Sequence, residues 1–554
     1  MKPAASKYGI GIDTGGTYTD AVLLDLTEER VLAVSKQPTT HYDLAIGLVA
    51  GLNEVQQRSQ VSSDRIAFVA VSSTLATNAV VEDKGAAVGL ILTGFPEYVD
   101  LPATTVKYVC GGHTLKGEEQ EPLDIEGLVT AVEDMRDRID ACAVCSLMSV
   151  VNPNHELVAA KTVRMLHPLP VFCSHEISAQ FGMKERAATA VLNASLTPVM
   201  ARFLDGVRNS LAAAGIGAPL LVVRGDARAV DAESALSAPA TTVMSGPAAS
   251  AFFGARAGRA ASARVADVGG TTTDVCLVHD GLPVVTTDGS VIGQWRTHVN
   301  TVESFTVGVG GDSAVWVNSG AVGLSAERVH PVVLHPELTN LASRFGNLSD
   351  PRVLVPTLGR RQEIARRDAV LHCLQESGSA TAEELRAALS TDALSLAAHL
   401  RELRKHQLVA EAGFTPTDAL HVLGQLHLGD AQPARRLAEA LSRRCDRSVE
   451  QFCEDVLAAA RRKIENSVLD HVIRREVGLD LANFLARRGE HKLLSLTMKL
   501  NVPIVGTGAA APHLLPGVAQ ALGVDVIFPE HFAVGNALGA VLMGVEALAM
   551  TPAG

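Results

Sequence analysis

Two short polar turns in the chain are each enclosed by mainly apolar runs, in the same arrangement. Tyr8-Gly-Ile-Gly-Ile12 and Ala21-Val-Leu-Leu24 enclose the first; Arg264-Val-Ala266 and Val275-Cys-Leu-Val278 enclose the second. Both turns read Asp-x-Gly-Gly-Thr-x-Thr-Asp, aligned on Asp13 and Asp267. Apolar runs joined by a Gly-Gly turn predict a β-hairpin, and one copy in each half of the chain predicts an internal repeat. Helical spacing of apolar residues covers 44–57, and runs of strand length cover 66–71, 87–93, 141–151, 170–174 and 220–223. This alternation predicts a mixed or parallel sheet with covering helices. From Glu185 the helical spacing continues through Met200 to Leu211, with a break expected at Thr197-Pro198 because proline has no N–H to donate.

Residues 360–412 differ in kind. Helices are predicted over 361–375, 380–388 and 393–406, followed by the short apolar stretch 407–410, the pattern of a winged helix. The third helix carries Arg401, Arg404 and Lys405 against Glu402; a structural insertion with a solvated face is the reading preferred over a DNA reader. Helices follow over 434–500, strands at 502–505 and 524–528 resume the sheet, and 533–550 reads as a final helix.

With 554 residues and 47% apolar content, the chain can build two or three domains with sizeable cores. A net charge of −12 argues against a dedicated nucleic-acid binder. Residues 533–550 are the most membrane-like, but they carry Asn536 and Glu546, so a buried core helix and no membrane partner are expected. Residues 1–7 lack the apolar core of a signal peptide. The eight cysteines are scattered, and Cys142-Ala-Val-Cys145 lies inside an apolar run without a second such pair, so these thiols read as inert core residues. A cytoplasmic location is expected.

The chemistry is concentrated in the two turns. Glycines at a hairpin tip let the backbone approach a ligand closely. Successive N–H groups then form a concave anion nest, to which threonine hydroxyls add donors. An aspartate at the end of the incoming strand suits a hydrated Mg²⁺ beside the nest. Two such loops facing each other would grip a triphosphate from both sides. One copy alone could be an ordinary tight turn; two with the same spacing make coincidence a poor explanation. Val307-Gly-Val-Gly-Gly-Asp-Ser313 is glycine-rich like a nucleotide loop, and Gly506-Thr-Gly-Ala-Ala-Ala511 offers small residues against which a base or ribose could lie. Ser72-Ser-Thr-Leu-Ala-Thr-Asn78 follows a strand end, where hydroxyls serve equally as caps or as ligand contacts. His113 is expected on a surface loop, and the charges of Arg224-Gly-Asp226 fall where α/β sheets bind ligands.

The order of these parts resembles the actin, sugar-kinase and heat-shock-chaperone ATPase superfamily. Within it, the chain is similar to the ATP-binding A subunit of the hydantoinase/oxoprolinase family. The resemblance rests on residues 11–20, Ser73-Thr-Leu-Ala-Thr-Asn78, Ser174-His-Glu-Ile-Ser178, Glu185-Arg186 with Asn193, Ser245-Gly-Pro247, residues 267–274 and Gly308-Val-Gly-Gly-Asp312. It covers nearly the whole chain. Arg224-Gly-Asp226 and the 360–412 module depart from the pattern. The resemblance implies an α/β fold of two ribonuclease-H-like, actin-like ATPase domains facing a nucleotide cleft, with a small winged-helix-like insertion. The corresponding units are 7–190, 191–355, 356–425 and 426–554.

The implied activity is ATP-dependent phosphorylation of the carbonyl oxygen of a cyclic amide (a hydantoin, lactam or 5-oxoproline), with Mg²⁺ and a separate B-type hydrolase subunit. A homo-oligomer is also expected. The alternatives are enolate phosphorylation as in ketone carboxylases, a small-molecule kinase, or a regulator using the winged-helix-like module. Under this reading Asp13 and Asp267 hold Mg²⁺ through water. Thr14, Gly15, Gly16, Thr17, Thr19, Gly269, Gly270, Thr271, Thr272, Thr273, Gly310, Gly311 and Asp312 serve the phosphates, with Thr271 and the two aspartates counted as catalytic. Gly506, Thr507, Gly508 and Ala509 serve adenosine. Thr74, Asn78, His113, Glu185, Arg186, Arg224 and Asp226 are substrate candidates.

Overall fold

The computed structural model describes residues 7–40, 44–81, 84–95, 98–338, 341, 351–358, 362–480, 482, 485 and 497–550. Its organising feature is a sheet motif that occurs twice. Strand Tyr8–Thr14 pairs antiparallel with Tyr18–Asp25 and parallel with Ile66–Ser73. Strand Ala263–Val268 pairs antiparallel with Thr273–His279 and parallel with Ile504–Thr507. The registers correspond: Asp13 lies opposite Asp20 and beside Ser72, and Asp267 lies opposite Asp274 and beside Thr507. The predicted repeat is therefore a repeat of sheet geometry as well as of turn sequence.

The first sheet has six strands and ends with Leu220–Val223 and Ala229–Asp231. A boundary at residue 190 would assign these two strands to the second unit, whereas their hydrogen bonds place them in the first sheet. Helix Gly535–Met550 joins the halves. A Cβ on Gly11 would stand 1.9 Å from the Ala537 carbonyl oxygen, and one on Gly539 would stand 1.9 Å from that of Ala249. The helix is thus pressed against the first sheet on one side and helix Ser245–Gly258 on the other. Ala537, Ala540 and Val541 are buried there, as the core-helix reading of this apolar segment requires.

Helix Met183–Ala213 runs unbroken through Pro198, correcting the expected interruption. Proline removes one N–H, but the neighbouring Thr197 hydroxyl donates to the Asn193 carbonyl, and Leu196, Met200 and Phe203 anchor both sides of the site in core. The predicted helix 361–375 is divided into Gln362–Ala365 and Ala369–Ser377, with Asp368 capping the second by accepting from the Leu371 N–H; position 361 lies outside the described residues. Helices Ala382–Leu389 and Ala393–Lys405 follow, then strand Val409–Gly413 pairs with Arg352–Pro356. Of the helical region 434–500, residues 481, 483–484 and 486–496 lie outside the described set, as do residues 1–6 at the start of the chain.

A separate four-stranded parallel sheet carries Cys142 and Cys145 on the central strand Ala141–Ser146. The two side chains enter different core clusters on opposite faces of this sheet, and burial pushes both thiols up to about 12. At its end, the fully buried Glu156 accepts from the Ser146 N–H, the Ser174 hydroxyl and the His175 N–H and Nδ1. Burial opposes its ionisation, but these donors outweigh it and hold Glu156 below its usual value, while the Glu156 hydrogen bond raises His175. A lowered glutamate stabilises the fold above its unfolded value and loses that contribution as pH falls through the folded one; a raised histidine does the reverse at the alkaline side. The pair should therefore stabilise most between about pH 4.5 and 6.5. Glu156→Gln is expected to lower the thermal midpoint most within that window and to flatten its pH dependence. Unfolding scans across pH 4 to 9 measure both effects.

Candidate functional site

Hairpin geometry brings the repeated residues together. In each copy the first glycine N–H donates back across the turn: Gly15 to the Tyr18 carbonyl and Gly269 to that of Thr272, both at 3.0 Å. Each tip is thereby fixed, with its aspartate at the strand end. The tips face one another, since a Cβ on Gly270 would lie 3.3 Å from the Thr17 hydroxyl and 2.6 Å from an Asp312 carboxylate oxygen. Between them opens a cleft of about 890 Å³. Gly311 and Asp312 close its floor, donating their N–H groups to the carbonyls of Gly269 and Gly270.

Asp13, Gly15, Gly16, Thr17 and Thr74 line the cleft from the first half. Asp267, Gly269, Gly270, Thr271 and Thr272 line it from the second, together with Gly311, Asp312, Gly508 and Ala509. Gly508, at φ +86°, lets the backbone pass Asp267: a Cβ there would meet its carboxylate at 2.4 Å. The other nominated positions do not line the cleft. Thr19 bonds Thr39, Thr273 donates to the Val309 carbonyl, and Thr507 meets Ser250. Gly310 is pressed on the carbonyls of Gly269 and Gly270, and Gly506 on the Phe528 ring. Thr14 is buried, and its hydroxyl has no hydrogen-bond partner among the described residues.

Among the substrate candidates, Thr74 alone lines the cleft, and Asn78 donates to its hydroxyl from one helical turn away. His113 is buried, not on the surface: its N–H donates to the Leu147 carbonyl and its ring lies 4.2 Å from that of His155. Positive φ at Gly111 and Gly112 folds this loop inward, a turn that apolar periodicity does not register. Arg186 is fully buried and donates to the carbonyls of Ser146 and Gln180 and to Ser174 and Ser149. Glu185 lies near His298, and Arg224 pairs with Asp226 at 2.9 Å, both away from the cleft.

Several side chains outside the nominated site residues complete the site; of these, Ser72 lies in the strand-end cluster left open as cap or ligand contact. Ser72 donates to Asp13 at 2.6 Å, and Asn536 donates to the other Asp13 oxygen at 3.3 Å and also serves Asp267. Lys36 forks onto both oxygens of Asp20 at 2.9 Å, and Arg328 donates to the Gly16 carbonyl and approaches Asp312. Burial pushes Asp13 up to about 6 and Asp267 up to about 7, the latter helped by the charge of Asp274. Asp20 and Asp274 are raised by burial too. Among the described residues, five carboxylates, Asp13, Asp20, Asp267, Asp274 and Asp312, thus share one cleft with two cations, Lys36 and Arg328, an imbalance of oxygen donors that fits a hydrated divalent cation such as Mg²⁺.

Residues 9–166 match the family described as the hydantoinase/oxoprolinase N-terminal region, and residues 186–547 match hydantoinase/oxoprolinase. The chain belongs to the hydantoinase/oxoprolinase family. Among curated relatives, it is 29% identical over 360 residues to the acetophenone carboxylase gamma subunit of Aromatoleum aromaticum, covering 57% of this chain and 48% of that one. It is also 29% identical over 348 residues to the caprolactamase subunit alpha of Pseudomonas jessenii, covering 55% and 48%. The chain spans about half the length of these curated relatives. The nucleotide-free structure of ATP-dependent acetone carboxylase shares the fold, with a TM-score of 0.66 at 19% identity over 97% of this chain and 70% of that one.

Proposed function

We propose that this member of the family uses Mg-ATP to phosphorylate a carbonyl oxygen, converting an unreactive amide or ketone into an activated intermediate. The observation that carries this reading is the pair of Asp-x-Gly-Gly-Thr hairpins whose tips face each other across one cleft. The N–H groups of Gly16–Thr17 and Gly270–Thr272, with the hydroxyls of Thr17, Thr271 and Thr272, would form the phosphate cradle on turns closed by the Gly15 and Gly269 N–H groups. Asp13 and Asp267 would hold Mg²⁺ through water, and the ion, when bound, offsets phosphate charge. Lys36 and Arg328 place protein cations at the same wall. Positioning and charge neutralisation are the main demands of phosphoryl transfer.

The substrate class we favour is a cyclic amide: a hydantoin, lactam or 5-oxoproline. The caprolactamase relative supports it, and the acetophenone carboxylase relative supports ketones as the second reading. Both relatives are named as subunits, in keeping with a separate hydrolase subunit that completes the reaction. Two ribonuclease-H-like lobes, a winged-helix-like insertion, homo-oligomeric assembly and a cytoplasmic location belong to the same proposal. ADP formation from Mg-ATP with hydantoin, 5-oxoproline, caprolactam, acetone and acetophenone, each with and without co-purified proteins, tests it. Stimulation by one class is expected. ADP formation that none of these compounds raises above the unstimulated rate would contradict it.

A further inference from the structure

O-phosphorylation of an amide or ketone releases a proton, and the two hairpin tips, residues 13–20 and 267–274, contain no neutral base to take it. The cleft lining beside them does. Arg328 and His330 both line the cleft, two residues apart. Behind His330 runs a chain of hydrogen bonds: its Nδ1 lies 3.3 Å from Nε2 of His335, whose Nδ1 lies 3.0 Å from Oε1 of Glu337. The ring centroids are 5.5 Å apart. That separation is close to the nitrogen–nitrogen distance plus two ring radii, so the nitrogens point at each other edge to edge.

An ionised carboxylate only accepts, which fixes the tautomers. Glu337 takes the Nδ1–H of His335, leaving His335 Nε2 to accept the Nδ1–H of His330. The lone pair of His330 is then on Nε2, which has no protein hydrogen-bond partner among the described residues. Glu337 is half-exposed, so the chain connects the cleft wall to solvent. We propose, on the basis of the phosphorylation reading above, that His330 is the catalytic base for the substrate proton, with His335 and Glu337 as positioning residues that set its tautomer.

The step balances as follows for an amide. The carbonyl oxygen forms a bond to the γ-phosphorus as the bond from that phosphorus to the β–γ bridging oxygen breaks, and the nucleoside diphosphate leaves with that electron pair. The amide N–H proton passes to His330 Nε2, and the N–H electrons become the C=N bond of an O-phosphorylated imidate. For a ketone, an α-C–H proton takes the same path and the product is an enol phosphate. Burial, with His335 and Arg328 beside it, pushes His330 down to about 4 in the free protein, so the ring enters the reaction neutral; phosphate charge in the cleft would raise its basicity.

The test uses the full chain, binding of a non-hydrolysable ATP analogue with Mg²⁺, and ADP formation with the most active substrate of the panel. His330→Ala should lower kcat by about a hundredfold, leave analogue affinity unchanged, and recover activity with added imidazole. Glu337→Gln should lower kcat by a smaller factor, and Glu337→Asp should restore most of it. A wild-type rate in His330→Ala overturns the proposal, as does a loss that imidazole does not recover. Failure of the wild-type chain to bind the analogue would overturn the nucleotide reading itself, and is seen separately from the His330 result.

Discussion

Replacing Asp13 or Asp267 by asparagine is expected to lower ATP turnover by about tenfold or more while leaving the chain at least as stable. The two effects have one cause. Asp13 is buried and Asp267 half-buried, and loss of hydration raises the proton affinity of both, so the charged form costs stability at neutral pH. An amide of the same shape removes that cost, and Ser72 and Asn536 remain to hydrogen-bond it at position 13, and Asn536 at position 267. It also removes the anionic oxygen that would hold the hydrated cation. Steady-state ADP formation and thermal unfolding of both variants provide the check. A residue with a structural role alone would show the opposite pattern, with stability lost and turnover per folded molecule kept.

The second large effect concerns the helix that brings Asn536 to the cleft. Gly539→Ala is expected to destabilise the chain by about 3 kcal/mol, because the added Cβ would fall 1.9 Å from the Ala249 carbonyl oxygen and 2.5 Å from its carbon. Both are backbone atoms of helix Ser245–Gly258, so the helices must separate. The same shift would draw Asn536 away from Asp13, so activity should fall further than the folded fraction does. Denaturant unfolding combined with active-site titration separates the two. A small-to-small change at the exposed C-terminal end of the same helix, Ala549→Gly, should have little effect on either.

Much of the site was legible because it is written twice. The matched spacing in residues 13–20 and 267–274 predicted both hairpins, and backbone geometry reproduces one register in both. Thr74 was also legible, since it follows a strand end. Positions set by tertiary approach were not. Lys36 sits opposite Asp20 on the strand after the first hairpin, whereas the residue opposite Asp274 in the second sheet is Thr306, so the repeat of the turn does not extend to this cation. Asn536 is one of two polar residues in an apolar helix, with Glu546, and was read only as evidence against a membrane span. Arg186 and the Arg224–Asp226 pair are charges whose partners are backbone carbonyls and buried serine hydroxyls for Arg186 and each other for the pair, and a sequence does not display such partners. The unbroken helix at Pro198 shows tertiary burial overriding a local signal.

The central claim is that both hairpins grip one nucleotide. Hydrogen exchange on the full chain, with and without a Mg-bound non-hydrolysable ATP analogue, tests it most directly. Slowed exchange at both tips, residues 15–18 and 269–272, at a common analogue concentration is the predicted result. Protection of one tip alone, or of neither while the analogue is bound, would contradict it.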